Sequence, residues 1–182
     1  DNIFVTGTMK WDSALIADVV PGADQLAAEL GLNRSRPTVV AGSTAPGEHE
    51  LLRDSLPAGA QLICAPRKPE WFDQAAQALS GCVRRSQSQG KSPQINSHID
   101  LYLLDTIGEL RQAYALADVV VIGRSFGNLH GSDMIEPIAL GRPTLVGPHM
   151  FNFADATDKA RAAGAALEVA NAGALVEAVN SL

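Results

Sequence analysis

The sequence predicts a doubly wound α/β fold on a parallel sheet, and three observations carry that prediction. Short apolar or β-branched runs recur at Thr38–Ala41, Gln61–Ala65, Ile99–Leu104, Val119–Ile122, Thr144–Val146 and Ala166–Val169. Segments of helical spacing, ended by glycine or proline, alternate with them over short connections, as in chained β-α-β units. Val119–Ile122 is too short for a free-standing helix and is closed by Gly123, so it reads as a strand buried on both faces.

In chain order, Ile3–Val5 is a short entry strand, and Gly7–Asp12 is a turn carrying Lys10 and a packed Trp11. Ala23–Leu30 is a helix with Leu26 and Leu30 one turn apart, stopped by Gly31. Thr38–Ala41 is a buried strand leading into Gly42-Ser43-Thr44-Ala45-Pro46-Gly47-Glu48 and a helix to about Leu56. Gln61–Ala65 follows as a strand, then Pro66-Arg67-Lys68-Pro69-Glu70 and a helix over Trp71–Leu79. Ser86–Ser97 is polar and reads as a surface loop. Ile99–Leu104 is a strand, and a helix runs from Asp105 to about Ala117, with Thr106 and Glu109 at capping-box spacing. After Val119–Ile122 come a glycine-studded loop, a short helix at Ile135–Leu140 and the strand Thr144–Val146. Phe153–Ala163 is a helix, Ala166–Val169 a last strand and Ala174–Leu182 a closing helix.

With 182 residues, 46% hydrophobic and 19% charged, the chain has the composition of one globular domain, read here as residues 1–182. A net charge of −6 argues against a nucleic-acid surface, so any phosphate site must be local. Cys64 and Cys82 read as free thiols of a reducing compartment, which points to the cytoplasm. No apolar run approaches a membrane span and no signal pattern opens the chain. The chain starts directly in strand-like sequence, so a fragment of a longer protein is expected.

The stretch Val119–Pro148 is the expected centre of function, because loops after the carboxyl ends of parallel strands are where such sheets bind ligands. The small and hydroxyl residues of the Gly42 loop suit close approach to a ligand, but the loop lacks a P-loop lysine. Arg67 and Lys68 stand where an anion would be held, unless they are a solvated charged loop. Glu136 suits the hydroxyls of a nucleotide ribose, and Asp133-x-x-Glu136 also spells a capping box; local sequence leaves both open. Gly123-Arg124-Ser125-Phe126-Gly127 does not match the dinucleotide fingerprint, so NAD is not expected. His130, Asp133 and Glu136 do not converge on one helix face, so no metal site is expected. No Ser-His-Asp or Cys-His nucleophile is evident.

Taken in order, VTGTMKWD, VVAGSTAPGE, APRKPEWF, DTIGELRQAYALADVVVIGRSF and IEPIALGRPTLVGPHMFNF, beginning at Val5, Val39, Ala65, Asp105 and Ile135, resemble the 3-deoxy-D-manno-octulosonic acid (Kdo) transferases. The likeness is to their C-terminal, nucleotide-sugar-binding half and covers nearly the whole chain. It implies a Rossmann-like half of a GT-B glycosyltransferase, with CMP-Kdo as donor and a lipid A precursor as acceptor at the cytoplasmic face of the inner membrane. By that analogy Gly42, Ser43 and Thr44 line the cleft between halves. Arg67, in an electrostatic role, and Lys68 face the donor's phosphate or carboxylate, and Thr106, Ile107, Gly108 and Glu109 frame the nucleotide. Gly123, Arg124, Ser125 and Phe126 approach the phosphate, followed by Ser132 and Asp133, and Glu136 holds the ribose. The resemblance implies no metal or other cofactor, since positive side chains and helix N-termini stabilise the leaving group.

This chain departs from the family's pattern at two places. Arg67-Lys68 stands where the family carries Arg-His, and Gly131-Ser132-Asp133 where it carries Gly-His-Asn. A related enzyme using a UDP-sugar and a non-catalytic nucleotide-sugar-binding module are therefore the alternatives. The family's general base lies in the other half, so no catalytic residue is assigned here, and this polypeptide alone is expected to bind nucleotide weakly and transfer nothing.

Overall fold

In the computed structural model, which describes residues 11, 14–91 and 99–181, seven strands form a single sheet. They are β1 (Thr38–Thr44), β2 (Gln61–Pro66), β3 (Val83–Arg84), β4 (Leu101–Leu103), β5 (Val119–Ile122), β6 (Thr144–Val146) and β7 (Ala166–Glu168). The order is β3-β4-β2-β1-β5-β6-β7, and every pairing is parallel. The chain builds outward from β1 to one edge, returns to β5 on the other side of β1, and continues to the opposite edge. That reversal places a topological switch point between β1 and β5, where a doubly wound sheet opens a crevice.

The helices are α1 (Ala23–Leu30), α2 (Glu48–Asp54), α3 (Phe72–Ala78), α4 (Arg85–Ser88), α5 (Leu110–Leu116), α6 (Ile135–Ala139), α7 (Ala154–Ala162) and α8 (Ala172–Asn180). Strand alternation sorts the core onto two faces. Val40, Ile63, Tyr102, Val120 and Val146 pack with Leu26 and Leu30 of α1 and with Ala113, Tyr114 and Leu116 of α5. Val39, Ala41, Leu62, Cys64, Val121 and Leu145 face the other way, onto Leu52 of α2, Ala75 of α3 and Leu175 and Ala178 of α8. Both faces of the central strands are thus dry, and each large aliphatic side chain so buried contributes about 1.5–3 kcal/mol. The central strands lack an apolar-polar alternation for this reason.

Two expectations are corrected. The segment read as a polar loop from Ser86 begins inside α4, and it is preceded by β3, an edge strand too short to show a periodic signature. Arg84 anchors that strand, its Nε donating to Asp105 Oδ2 at 2.7 Å and its Nη1 to Asp73 Oδ1 at 2.9 Å. Helix α5 starts at Leu110 instead of Asp105, and no side chain caps it. Thr106 Oγ1 donates to the Glu109 carboxylate at 2.5 Å, so the capping-box pair bond each other and leave the backbone uncapped. The entry strand Ile3–Val5, with Lys10 and Asp12, lies outside the described residues, as does 92–98 of the expected loop. Trp11 is half-buried beside a cavity of about 430 Å³ that Ile135 and Ile138 also line.

Candidate functional site

Because the strands are all parallel, the loops holding the sequence-predicted site residues all emerge at one end of the sheet. Gly42–Thr44 close β1, Arg67 and Lys68 follow β2, Thr106–Glu109 follow β4, and Gly123–Phe126 follow β5. Ser132, Asp133 and Glu136 lie on the way into α6 and on its first turn. At the switch point the backbones of the first and fourth of these loops touch. Gly123 N donates to Gly42 O at 2.8 Å, and a Cβ on Gly123 would stand 2.4 Å from Thr44 Cα and 2.6 Å from Ser43 O. Among the described residues three non-glycines take left-handed backbone conformations, Ser43 (φ 59°), Arg124 (φ 61°) and His130 (φ 63°), all in these two loops. Such conformations persist only where surrounding contacts enforce them, and they gather at functional sites.

At Arg124 the enforcing contact comes from Glu48, a residue that sequence reasoning passed over. Its side chain is buried at the start of α2, and its Oε2 accepts hydrogen bonds from Ala45 N at 3.0 Å and Arg124 N at 2.7 Å. Its Oε1 accepts from Phe126 N at 3.2 Å. One carboxylate thereby ties the β1 loop to the β5 loop. No local signal marks it, since Arg124 and Phe126 lie 76 and 78 residues away.

The cations differ in their freedom. Arg67 is exposed, its backbone N–H donates to Thr44 O at 2.9 Å, and its guanidinium meets no carboxylate among the described residues. Lys68 is engaged, with Nζ 3.1 Å from Glu70 Oε1 and 5.0 Å from the Trp71 ring centroid. Arg124 donates from Nη2 to Leu129 O at 3.1 Å and forms no ion pair among the described residues.

Several of the predicted residues are absorbed by the protein's own packing. Thr44 Oγ1 bonds Cys64 Sγ at 3.4 Å and His49 Nε2 at 3.2 Å, all three residues being buried. The direction in which Gly42 would carry a side chain is filled by the Tyr114 hydroxyl, 2.0 Å from an added Cβ. Ser125 is fully buried; its hydroxyl donates to Ile122 O at 2.5 Å and accepts from Gly147 N at 2.8 Å, stapling the ends of β5 and β6. The Phe126 ring packs against the core face formed by Val39 and Val121. Ser132 is buried, and its hydroxyl has no hydrogen-bond partner among the described residues. Asp133 Oδ1 accepts from Ile135 N at 3.0 Å, a bond across two residues just ahead of α6, whose N-cap position, Met134, supplies no side-chain cap. Glu136 is partly exposed and is approached at 3.5 Å by Arg111 Nη1.

Beyond β4, Arg85 is buried between Glu29, at 2.5 Å, and Glu109, at 2.7 Å. Burial pushes the Glu109 carboxyl up, but the hydrogen bonds from Arg85 and Thr106 outweigh it and hold it below the usual range. Burial likewise opposes ionisation of Asp105, and the hydroxyl and N–H of Ser86 with Arg84 overcome it. Glu109 is therefore committed to Arg85 and braces the loop in which Ile107 and Gly108 stay exposed. The sequence marked Glu109 but not Arg85 or Glu29, which are 24 and 56 residues apart from their partners.

A cavity of about 550 Å³, lined by Arg34, Pro37, Asp118 and Val179, lies at the amino ends of β1 and β5, opposite the converging loops. The left-handed residues and the exposed Arg67 gather at the carboxyl ends instead. No group of three or more His, Cys, Asp or Glu among the described residues is arranged to hold a metal ion. No helix among them is long and apolar enough to cross a membrane.

No family model matches the chain. It is 38% identical to a 3-deoxy-D-manno-octulosonic acid transferase of Bordetella pertussis over 181 residues, 92% of this chain and 41% of that protein. The transferase of Haemophilus influenzae is 29% identical over 163 residues, 84% of this chain and 37% of that protein. The chain therefore spans about two fifths of the length of these relatives. A crystal structure of the C-terminal CMP-Kdo binding domain of WaaA from Acinetobacter baumannii is similar with a TM-score of 0.74 and 31% identity, covering 87% of this chain and 86% of that one. Anabaena HepE, solved with UDP and glucose, is similar with a TM-score of 0.53 at 14% identity over 90% of this chain and 43% of that one, a likeness of fold alone.

Proposed function

We propose, from the premise that this chain belongs to the Kdo transferase family, that it is the donor-binding domain of a glycosyltransferase transferring Kdo from CMP-Kdo to a lipid A precursor. The observation that carries the reading is Arg67, an exposed guanidinium without a carboxylate partner among the described residues, beside a strained switch point in a protein of net charge −6. In a chain with more acidic than basic residues, an unpaired cation beside the crevice is a place prepared for an anion. Arg67 and Arg124 attract the phosphate and the sugar carboxylate and offset the charge that develops on the departing CMP. The Ser132 hydroxyl supplies a further hydrogen bond, and Glu136 takes the ribose hydroxyls, which its partial exposure allows. No metal or other cofactor is required in this scheme, because side-chain cations neutralise the leaving group.

Residues 1–182 form one domain of a two-domain enzyme working at the cytoplasmic face of the inner membrane. The acceptor site and general base reside in the other domain, so the chain alone binds donor nucleotide and transfers nothing. The test is a calorimetric or NMR titration of the chain with CMP, UDP, GMP and AMP, repeated with Arg67→Ala and Glu136→Ala. Saturable binding that favours CMP is expected, weakened about tenfold or more in Arg67→Ala by loss of a charge-assisted contact. A preference for UDP, or no loss in either variant, refutes the reading.

A further inference from the structure

Glu48 stands at the centre of the switch point with no assigned role. Its carboxylate receives three backbone N–H groups, from Ala45, Arg124 and Phe126, and no cation among the described residues pairs with it. Converging backbone N–H groups in a loop with a left-handed residue form an anion cradle, the feature that holds phosphate groups in many nucleotide-binding loops. Here the cradle is filled by the protein's own anion. Two of its three donors belong to the loop after β5, the loop expected to approach a donor phosphate. Those two N–H groups are therefore already spent. A phosphate oxygen seeking them would have to displace Glu48 or lie against a buried negative charge, and either is unfavourable. Asp133 acts in the same sense at the entry to α6, where its carboxylate takes Ile135 N. The side chains of Arg67 and Arg124, neither in an ion pair among the described residues, remain at the crevice to attract an anion.

We infer that Glu48 is a specificity-determining residue that restricts the donor to a nucleotide with one phosphate. The inference rests on the donor-site reading above and deepens it. A second phosphate, which the two arginines would otherwise reward, finds the backbone cradle closed. Glu48 also positions the Arg124 side chain, because Arg124 N is bonded to it while the residue is held at φ 61°.

The probes are CMP and CDP, which share base and ribose and differ by one phosphate, titrated into the 182-residue chain, Glu48→Gln and Glu48→Ser. Expected for the unaltered chain is CMP binding about tenfold or more tighter than CDP, whereas a crevice governed by arginine charge alone would favour CDP. In both variants the cradle loses its full negative charge and the ratio should narrow to within about threefold, chiefly through tighter CDP binding. A purely structural role for Glu48 would weaken both nucleotides together and leave the ratio unchanged. CDP bound as tightly as CMP by the unaltered chain overturns the inference, even where a variant fails to fold, and spares the donor-site reading. A folded variant that keeps the full preference for CMP also overturns it. Absence of binding by either nucleotide overturns both readings.

Discussion

Substituting Gly42 by alanine probes the packing beneath the switch point with one methyl group. The added Cβ would stand 2.0 Å from the Tyr114 hydroxyl, 2.6 Å from Cζ and 2.7 Å from Cε1. Comfortable contact between such atoms needs about 3.5 Å, so the ring or strand β1 must shift by roughly 1–1.5 Å. Neither has room, since Tyr114 is 1% exposed and Gly42 lies between β2 and β5. Overpacking of a close-packed core costs about 1–3 kcal/mol, and a clash with a rigid ring belongs at the upper end. For a chain of this size about 2–3 kcal/mol lowers Tm by roughly 5–10 °C. Urea unfolding followed by circular dichroism measures it. Pairing Gly42→Ala with Tyr114→Leu removes the far end of the ring, so the double variant should be more stable than the sum of the single losses by about 1–3 kcal/mol. Unaltered stability of Gly42→Ala, or strict additivity in the double variant, refutes the packing argument.

Arg85→Met leaves Glu29 and Glu109 facing each other without their common cation and should cost about 3 kcal/mol in urea unfolding, the lower part of the buried range because Glu109 keeps 21% exposure. Adding Glu29→Gln and Glu109→Gln should recover much of that loss; no recovery would show that packing, not charge, is what Arg85 supplies. Asp105 and Glu109 are held below their ordinary range in the folded chain, so their contribution is present above a pH of about 4 and is lost as pH falls through their folded values. Acid unfolding of Asp105→Asn with Glu109→Gln should therefore show lower stability at pH 7 and a flatter loss below about pH 5 than the unaltered chain. Burial pushes the Cys64 thiol up to about 12, while Cys82 is half-buried. Alkylation at pH 8 followed by mass mapping should label Cys82 first and Cys64 only on unfolding, and early labelling of Cys64 would contradict its placement in the sheet.

The alternation of elements and the dryness of the central strands were legible in the residues, because they are properties of local composition. Val119–Ile122, Gln61–Ala65 and Thr144–Val146 are apolar with no wet face, and that pattern belongs to parallel sheets covered on both sides. Two strand ends were legible as well, before Arg67 and before Gly123, whereas β1 runs past the end expected at Ala41 and continues to Thr44. The edge strand β3 was not, since two residues carry no period. Whether a site residue is free or already committed could not be read locally. Ser125, Thr44 and Glu109 have the residue types of ligand-binding groups, yet their partners are Gly147, His49 with Cys64, and Arg85.

The chain by itself determined which kind of sheet forms, because a strand's burial on both faces is encoded in its own few side chains. Only the tertiary structure decided which groups at those strand ends are already committed to partners. Glu48 reaches Arg124 and Phe126, Arg85 reaches Glu29, and Arg67 meets no carboxylate among the described residues, relations that sequence distance does not constrain. The difference is physical: hydrophobic burial is additive and set residue by residue, whereas a hydrogen bond or ion pair exists only when the fold brings two partners within about 3 Å.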